Sequence, residues 1–213
     1  TCGGRHRDRS ELVFAADASL AEIDPPTAAV WAQVLQRVPE SVLLLRDHQF
    51  TAAANLDRLT GLFGTFGVAN RVDLIAEPTA RAFFAHADIG LMPLGFPRLQ
   101  SLVDGLAAGL PVICAAGEGR HTRLAASILH HLGLAERMVG TTHAAYVAQA
   151  VAWAASGDQR KRLAEALPAH LDQAPLFDPE RRIGDLEAAY ETMWRKTRER
   201  FDRANARRAT ASA

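Results

Sequence analysis

Short continuous apolar runs alternate along the first part of the chain with stretches whose apolar positions recur every three or four residues. The runs "ELVFAA" (Glu11–Ala16), "SVLLLR" (Ser41–Arg46), "RVDLIA" (Arg71–Ala76), "DIGLM" (Asp88–Met92) and "LPVICA" (Leu110–Ala115) are predicted strands. The second is apolar on both faces, as suits a strand buried in a parallel sheet. Between them fall predicted helices. One begins at Pro25 and Pro26 and carries Val30, Trp31, Val34, Leu35 and Val38. The others cover residues 51–66, Thr79–Ala87, about Gln100–Ala108 and about Arg120–His131. Strand and helix alternate five times with short connections, which is the pattern of an α/β doubly wound parallel sheet.

After Leu134 the alternation weakens. "RMV" reads as a short sixth strand. Residues 141–156 read as a helix with Thr142 as its N-cap and Gly157 as its stop. Another follows over Asp158–Leu171, with Pro168 expected to kink or end it. A long last helix spans about Pro179–Phe201 and carries a stripe of Ile183, Leu186, Tyr190, Met193, Trp194 and Phe201. The expected organisation is a disordered segment at 1–10, a Rossmann-like domain over 11–140, a helical extension over 141–203 and a disordered tail at 204–213.

In an open α/β sheet ligands bind beyond the carboxyl ends of the strands, where helix N-termini offer free N–H groups and a positive dipole end. After the fourth strand comes "PLGFPRLQS". Gly95 can let backbone approach a ligand, Arg98 can pair a phosphate, and Gln100 and Ser101 can donate at a helix start. In the plainer reading Ser101 caps the helix and Arg98 is a solvated charge. Asp104 lies one turn into that helix, amid Leu102, Val103, Leu106 and Ala107. A carboxylate there can accept from a ribose, or it can merely stabilise the helix N-terminus by about 0.3–1 kcal/mol. After the fifth strand, Gly117 and Gly119 turn the chain into a helix opened by Arg120–Arg123. There is no G-x-G-x-x-G fingerprint after the first strand, no Walker motif and no G-x-S-x-G elbow. His130 and His131 fall at a helix end, where a structural role with the dipole is favoured over ligation.

Composition narrows the classes. Of 213 residues, 24 are Lys or Arg and 24 Asp or Glu, so no net field steers the chain toward nucleic acid or anionic lipid. The basic clusters "RHRDR" and "RRA" read as solvated tails. No apolar run approaches the roughly 18 residues of a membrane span. Cys2 and Cys114 form neither a CxxC nor a metal spacing, and Cys114 reads as a buried thiol. A reducing, cytoplasmic location is expected. The chain opens on Thr1 and reads as a piece of something longer.

The blocks "IDPPTAAVWAQVLQRVPESVLLLR", "ADIGLMP", "DGLAAGLPVICAAGE", "TRLAASILHHLGL", "APLFD" and "LEAAYETMW" resemble, in order and spacing, the C-terminal half of the O-GlcNAc transferase (SPINDLY-like) glycosyltransferase family. The resemblance covers about Leu12 to Trp194. It implies the donor-binding Rossmann half of a two-domain GT-B enzyme that moves a sugar, GlcNAc, from a UDP-sugar to a protein hydroxyl without a metal. It also implies an N-terminal GT-B half and tetratricopeptide repeats as partners. In the family a His-Thr-Thr or Asn-Thr-Thr group opens the helix that carries the Asp and holds the donor diphosphate. The matching positions here are Leu99, Gln100 and Ser101, and Asp104 matches the Asp associated with the donor ribose. A family Gln and Lys that contact phosphate correspond to Ser19 and Glu22, and the family's Lys- and His-bearing segment is shortened here to "AEPTARAFF". Donor contacts are therefore expected from Asp104, Ser101, Gln100, Arg98 and Gly95. No catalytic residue is assigned, because the family's catalytic residues lie largely on the other half. These departures leave an alternative open: an inactive GT-B-like scaffold with a degenerate donor site.

Overall fold

The computed structural model describes residues 11–211, apart from 48–49, 51 and 76–78. The expectations for residues 1–10, including Cys2 and "RHRDR", lie outside the described residues, as do 212–213.

Six strands follow one another in the chain: β1 (Leu12–Asp17), β2 (Ser41–Arg46), β3 (Val72–Ile75), β4 (Ile89–Leu91), β5 (Val112–Ala115) and β6 (Val139–Gly140). They form one sheet in the order β3-β2-β1-β4-β5-β6, and every neighbouring pair is parallel. Burial explains the continuous apolar runs. Leu43, Leu44 and Leu45 of β2 are all fully covered, so alternate side chains meet apolar partners on both faces. The predicted doubly wound fold is the observed one.

The helices α1 (Pro25–Arg37), α2 (Ala53–Gly64), α3 (Ala80–Phe84), α4 (Leu99–Ala107), α5 (Arg120–His131) and α6 (Ala135–Met138) fill the connections. Prolines open α1 as expected, and Asp24 accepts from Thr27 N at 2.9 Å as its cap. Helix α7 (His143–Ala154) is capped by Thr142, as the sequence predicts.

Three details go beyond the expectations. The compact unit that holds the sheet runs to Asp172, and in it α7 packs on α1 and on β4, β5 and β6 through Tyr146, Val147, Ala150 and Trp153. Helix α8 (Gly157–Gln173) begins at the glycine expected to stop α7 and runs on through Pro168, where the fully buried Leu167 anchors it. A close approach supports this packing: Gly109, at φ +85°, has α8's Ala164 so near that a Cβ would lie 3.0 Å from that side chain. The second unit is residues 173–213. Its helix α9 (Pro179–Ala211) passes the expected end at Phe201 and continues through residues 204–211, where a disordered tail was expected. Residues 204–211 lack apolar periodicity but are rich in Ala and Arg, which have high helix propensity, and no Gly or Pro follows Gly184 to stop the helix. Among the described residues, no helix is long and apolar enough to cross a membrane.

Candidate functional site

Chain direction across the sheet reverses between β1 and β4, so their carboxyl ends open on the crevice that doubly wound folds use for ligands. Strand β1 ends there at Asp17, and β4 leads through Met92–Gly95 to α4. The β4 loop is fixed from below. The indole Nε1 of Trp31 donates to the Tyr146 hydroxyl at 3.1 Å, and that hydroxyl donates to the Met92 carbonyl at 2.8 Å. Both rings are fully buried, and burial pushes the Tyr146 phenol above its ordinary range. The Leu94 N–H donates to the buried Thr27 hydroxyl of α1 at 3.2 Å. An apolar core thus holds the rim of the crevice in place.

Arg98 is the hub of the rim. Its Nε lies 2.9 Å from Glu22, one terminal nitrogen 2.9 Å from Asp47 and the other 3.3 Å from Asp17. Asp17 also receives Arg46 at 2.7 Å and the Ser101 hydroxyl. Burial alone lowers the Arg98 guanidinium; the bond it donates to Asp47 and the charges of Glu22 and Asp17 outweigh it and leave Arg98 raised. Arg98 is therefore not a solvated charge. Ser101, buried and turned to Asp17, does not cap its helix. Arg98 stands at the N-cap position of α4 with no side-chain cap bond, and Gly119 stands likewise before α5.

Gln100 and Asp104 are brought together on α4. The Gln100 amide donates to Asp104 Oδ1 at 3.0 Å, and Asp104 is half-buried. Gly95 sits on the loop where an added Cβ would meet nothing within 4 Å, so the space beside it is open. The two-glycine turn after β5 is tied down: the Thr122 hydroxyl donates to Gly119 O at 2.8 Å and accepts from Gly117 N at 3.2 Å.

Asp17, Arg46, Asp47 and the Phe96–His121 pair did not emerge from the sequence. Phe96 is 65% exposed and stacks on His121 with ring centroids 4.5 Å apart. A signal for the charged set was present: "FAAD" and "LLLRD" each end a buried run on charge, and parallel register pairs Asp17 with Arg46. Charges at the carboxyl ends of adjacent buried strands have the crevice as their outlet.

This α/β unit, six parallel strands followed by C-terminal helices, has the architecture of a GT-B glycosyltransferase domain. WaaG, a glycosyltransferase involved in lipopolysaccharide biosynthesis, superposes with a TM-score of 0.58 over 84% of this chain at 14% identity, a likeness of fold alone. The chain belongs to glycosyl transferase family 41, which it matches over residues 7–186. A mutant of the Thermobaculum terrenum O-GlcNAc transferase superposes with a TM-score of 0.81 at 26% identity, covering 87% of this chain and 36% of that one. Two curated relatives are probable UDP-N-acetylglucosamine–peptide N-acetylglucosaminyltransferases. SPINDLY of Oryza sativa subsp. japonica is 27% identical over 190 residues, and SEC of Arabidopsis thaliana is 29% identical over 194. They align with 87% and 86% of this chain, which spans only 20% and 19% of their length.

Proposed function

We propose that this chain is the donor-side Rossmann half of a protein O-GlcNAc-transferase-like enzyme and holds a UDP-sugar, UDP-GlcNAc, in the β1–β4 crevice. The observation that carries this reading is α4. It opens on the crevice without a side-chain cap and sets Gln100 and Asp104 side by side on its first turns. Its free N–H groups and dipole suit a diphosphate, the Gln100 amide is a further donor, and the Asp104 carboxylate suits ribose hydroxyls. In the transfer, the bond from the sugar's anomeric carbon to the diphosphate breaks. A bond to the acceptor hydroxyl oxygen forms, and UDP leaves with the added negative charge. Donors aimed at that charge stabilise the transition state, typically by a few kcal/mol each. The residues that hold the acceptor protein and the base that takes its hydroxyl proton belong to a second Rossmann half, since a GT-B site is a cleft between two domains.

Two measurements test this reading. UDP should bind the chain, and Asp104→Ala should weaken it by about 1–3 kcal/mol, the cost of leaving hydrogen-bonding groups unpaired. An unchanged affinity would make Asp104 structural and the assignment wrong. The chain alone, incubated with labelled UDP-GlcNAc and a pool of proteins, should transfer no sugar above background. Enzyme-dependent labelling would refute the two-domain requirement. The commitment of Arg98 to three carboxylates favours a second reading, a scaffold that kept the fold and lost donor binding. The absence of any UDP binding would decide for it.

A further inference from the structure

Three carboxylates divide Arg98 among them, and they are not equivalent. Asp17 and Asp47 are buried, with side chains 5% and 1% exposed, whereas the Glu22 side chain is 17% exposed. Asp17 keeps Arg46 and Ser101 whatever Arg98 does. Glu22 reaches in from the β1–α1 loop, where its carboxylate also accepts from the Ser19 N–H at 2.6 Å and the Ser19 hydroxyl at 2.8 Å. The Nε edge of Arg98 that it covers belongs to the only guanidinium standing at the N-cap position of a described helix, at the mouth of α4. Glu22 meets Arg98 at Nε alone, with its two oxygens at 2.9 and 3.3 Å, and a phosphate oxygen competes for the same N–H because a guanidinium donates to carboxylate and phosphate alike.

We propose that Glu22 is an internal competitor for the diphosphate: it occupies the Arg98 Nε–H that a phosphate oxygen would take, and so sets how tightly this crevice holds a phosphorylated ligand. This rests on the donor reading above. Displacing Glu22 is easier than displacing Asp47. The Glu22 side chain is 17% exposed and hydrates readily when released, whereas that of Asp47 is 1% exposed and gives up more of its buried setting. The loop can thus exist in two arrangements, closed on Arg98 or released by the ligand. The ligand's apparent affinity is lowered by the stability of the closed one.

Glu22→Gln tests this cleanly. The amide oxygen can still accept from Ser19, so the loop turn is kept while the charge is lost. Calorimetric titration with UDP, and in parallel with uridine, is made on the chain and on Glu22→Gln, with Glu22→Ala as a second variant and thermal melts to verify folding. The expected result is UDP binding about tenfold tighter in both variants at low salt, a gain that shrinks as salt rises, with no change for uridine. UDP binding by a variant where the parent shows none would support the proposal equally. Equal or weaker UDP binding in folded variants would overturn it and leave the donor reading standing. An equal gain for uridine would overturn it too, since the effect would not lie at the phosphates. If parent and variants alike fail to bind at millimolar UDP, the donor reading falls and the competition with it.

Discussion

Cys114 shows at residue scale how burial converts into a measurable property. It ends the apolar β5 run, is fully covered, and burial pushes its thiol from 9.0 up to about 12. Tyr146 is raised by burial as well. Both keep their protons in the folded chain at pH values where the unfolded chain gives them up. The folded state therefore binds more protons, and stability must fall as pH rises. The fall begins near pH 9, where the unfolded thiol ionises, and continues until the folded thiol does so near 12. The slope from Cys114 alone is roughly 1.4 kcal/mol per pH unit. Urea unfolding at about pH 8 and about pH 10.5 should show the loss, and Cys114→Ala should flatten it. A slope unchanged by Cys114→Ala would place the titrating group elsewhere. Thiol reagents should also leave the native Cys114 peptide unmodified, since the thiolate is the nucleophile.

Elements are held together at their ends, and Arg71 shows how. It is the last residue of the short 3-10 turn Ala69–Arg71 before β3 and donates to Leu35 O at 2.8 Å, Val38 O at 2.6 Å and Ser41 O at 2.8 Å. A cation there satisfies the last carbonyls of α1 and joins that helix end to the start of β2. Burial lowers this guanidinium, and the charge of Glu11 offsets part of the effect. Arg71→Met should cost about 2–4 kcal/mol in urea unfolding, because several carbonyls lose a charged donor at once. A loss below about 0.5 kcal/mol, the usual scatter of surface substitutions, would mean that water replaces it fully. The same elements show what the sequence made legible. Strand and helix positions followed from apolar period, because each buried element must show its period in its own residues. Gln100 and Asp104 were legible as a pair of polar groups on an apolar helix. The Arg98 network was not: its members come from three separate loops, and only the sheet order brings Asp17, Asp47 and Arg98 together. The sequence did not show that α8 runs on past Pro168 or that α9 runs on past Phe201. Local signals govern a helix end only when packing and propensity do not override them.

At the scale of the whole molecule the two units differ in how they are stabilised. The sheet unit buries a large core, including Phe14, Trp31, Phe63, Phe83 and Tyr146. In the second unit, the stripe of α9 is open: Ile183, Leu186, Tyr190, Met193, Trp194 and Phe201 are between 52% and 71% exposed. Among its described side chains, α9 carries exposed pairs such as Arg182–Asp185 at 2.8 Å and Arg203–Glu199 at 3.2 Å. Exposed pairs of this kind contribute only about 0.3–0.5 kcal/mol. A long helix without a packed face is marginal in water, because most helical stability in proteins comes from burying an amphipathic face. Full burial of one large apolar side chain is worth about 1.5–3 kcal/mol, and each of these six side chains forgoes more than half of it. We therefore expect α9 to open locally far more often than the sheet. Amide hydrogen exchange on a monomeric sample should find the amides of residues 184–204 exchanging at least about a hundredfold faster than those of β1, β2 and β5. Sedimentation of the same sample must first establish that it is monomeric, since self-association through the stripe would itself confer protection. Strong protection through Phe201 in a monomer would show that the stripe is covered within one chain, and the account of α9 as an unpacked helix would be lost.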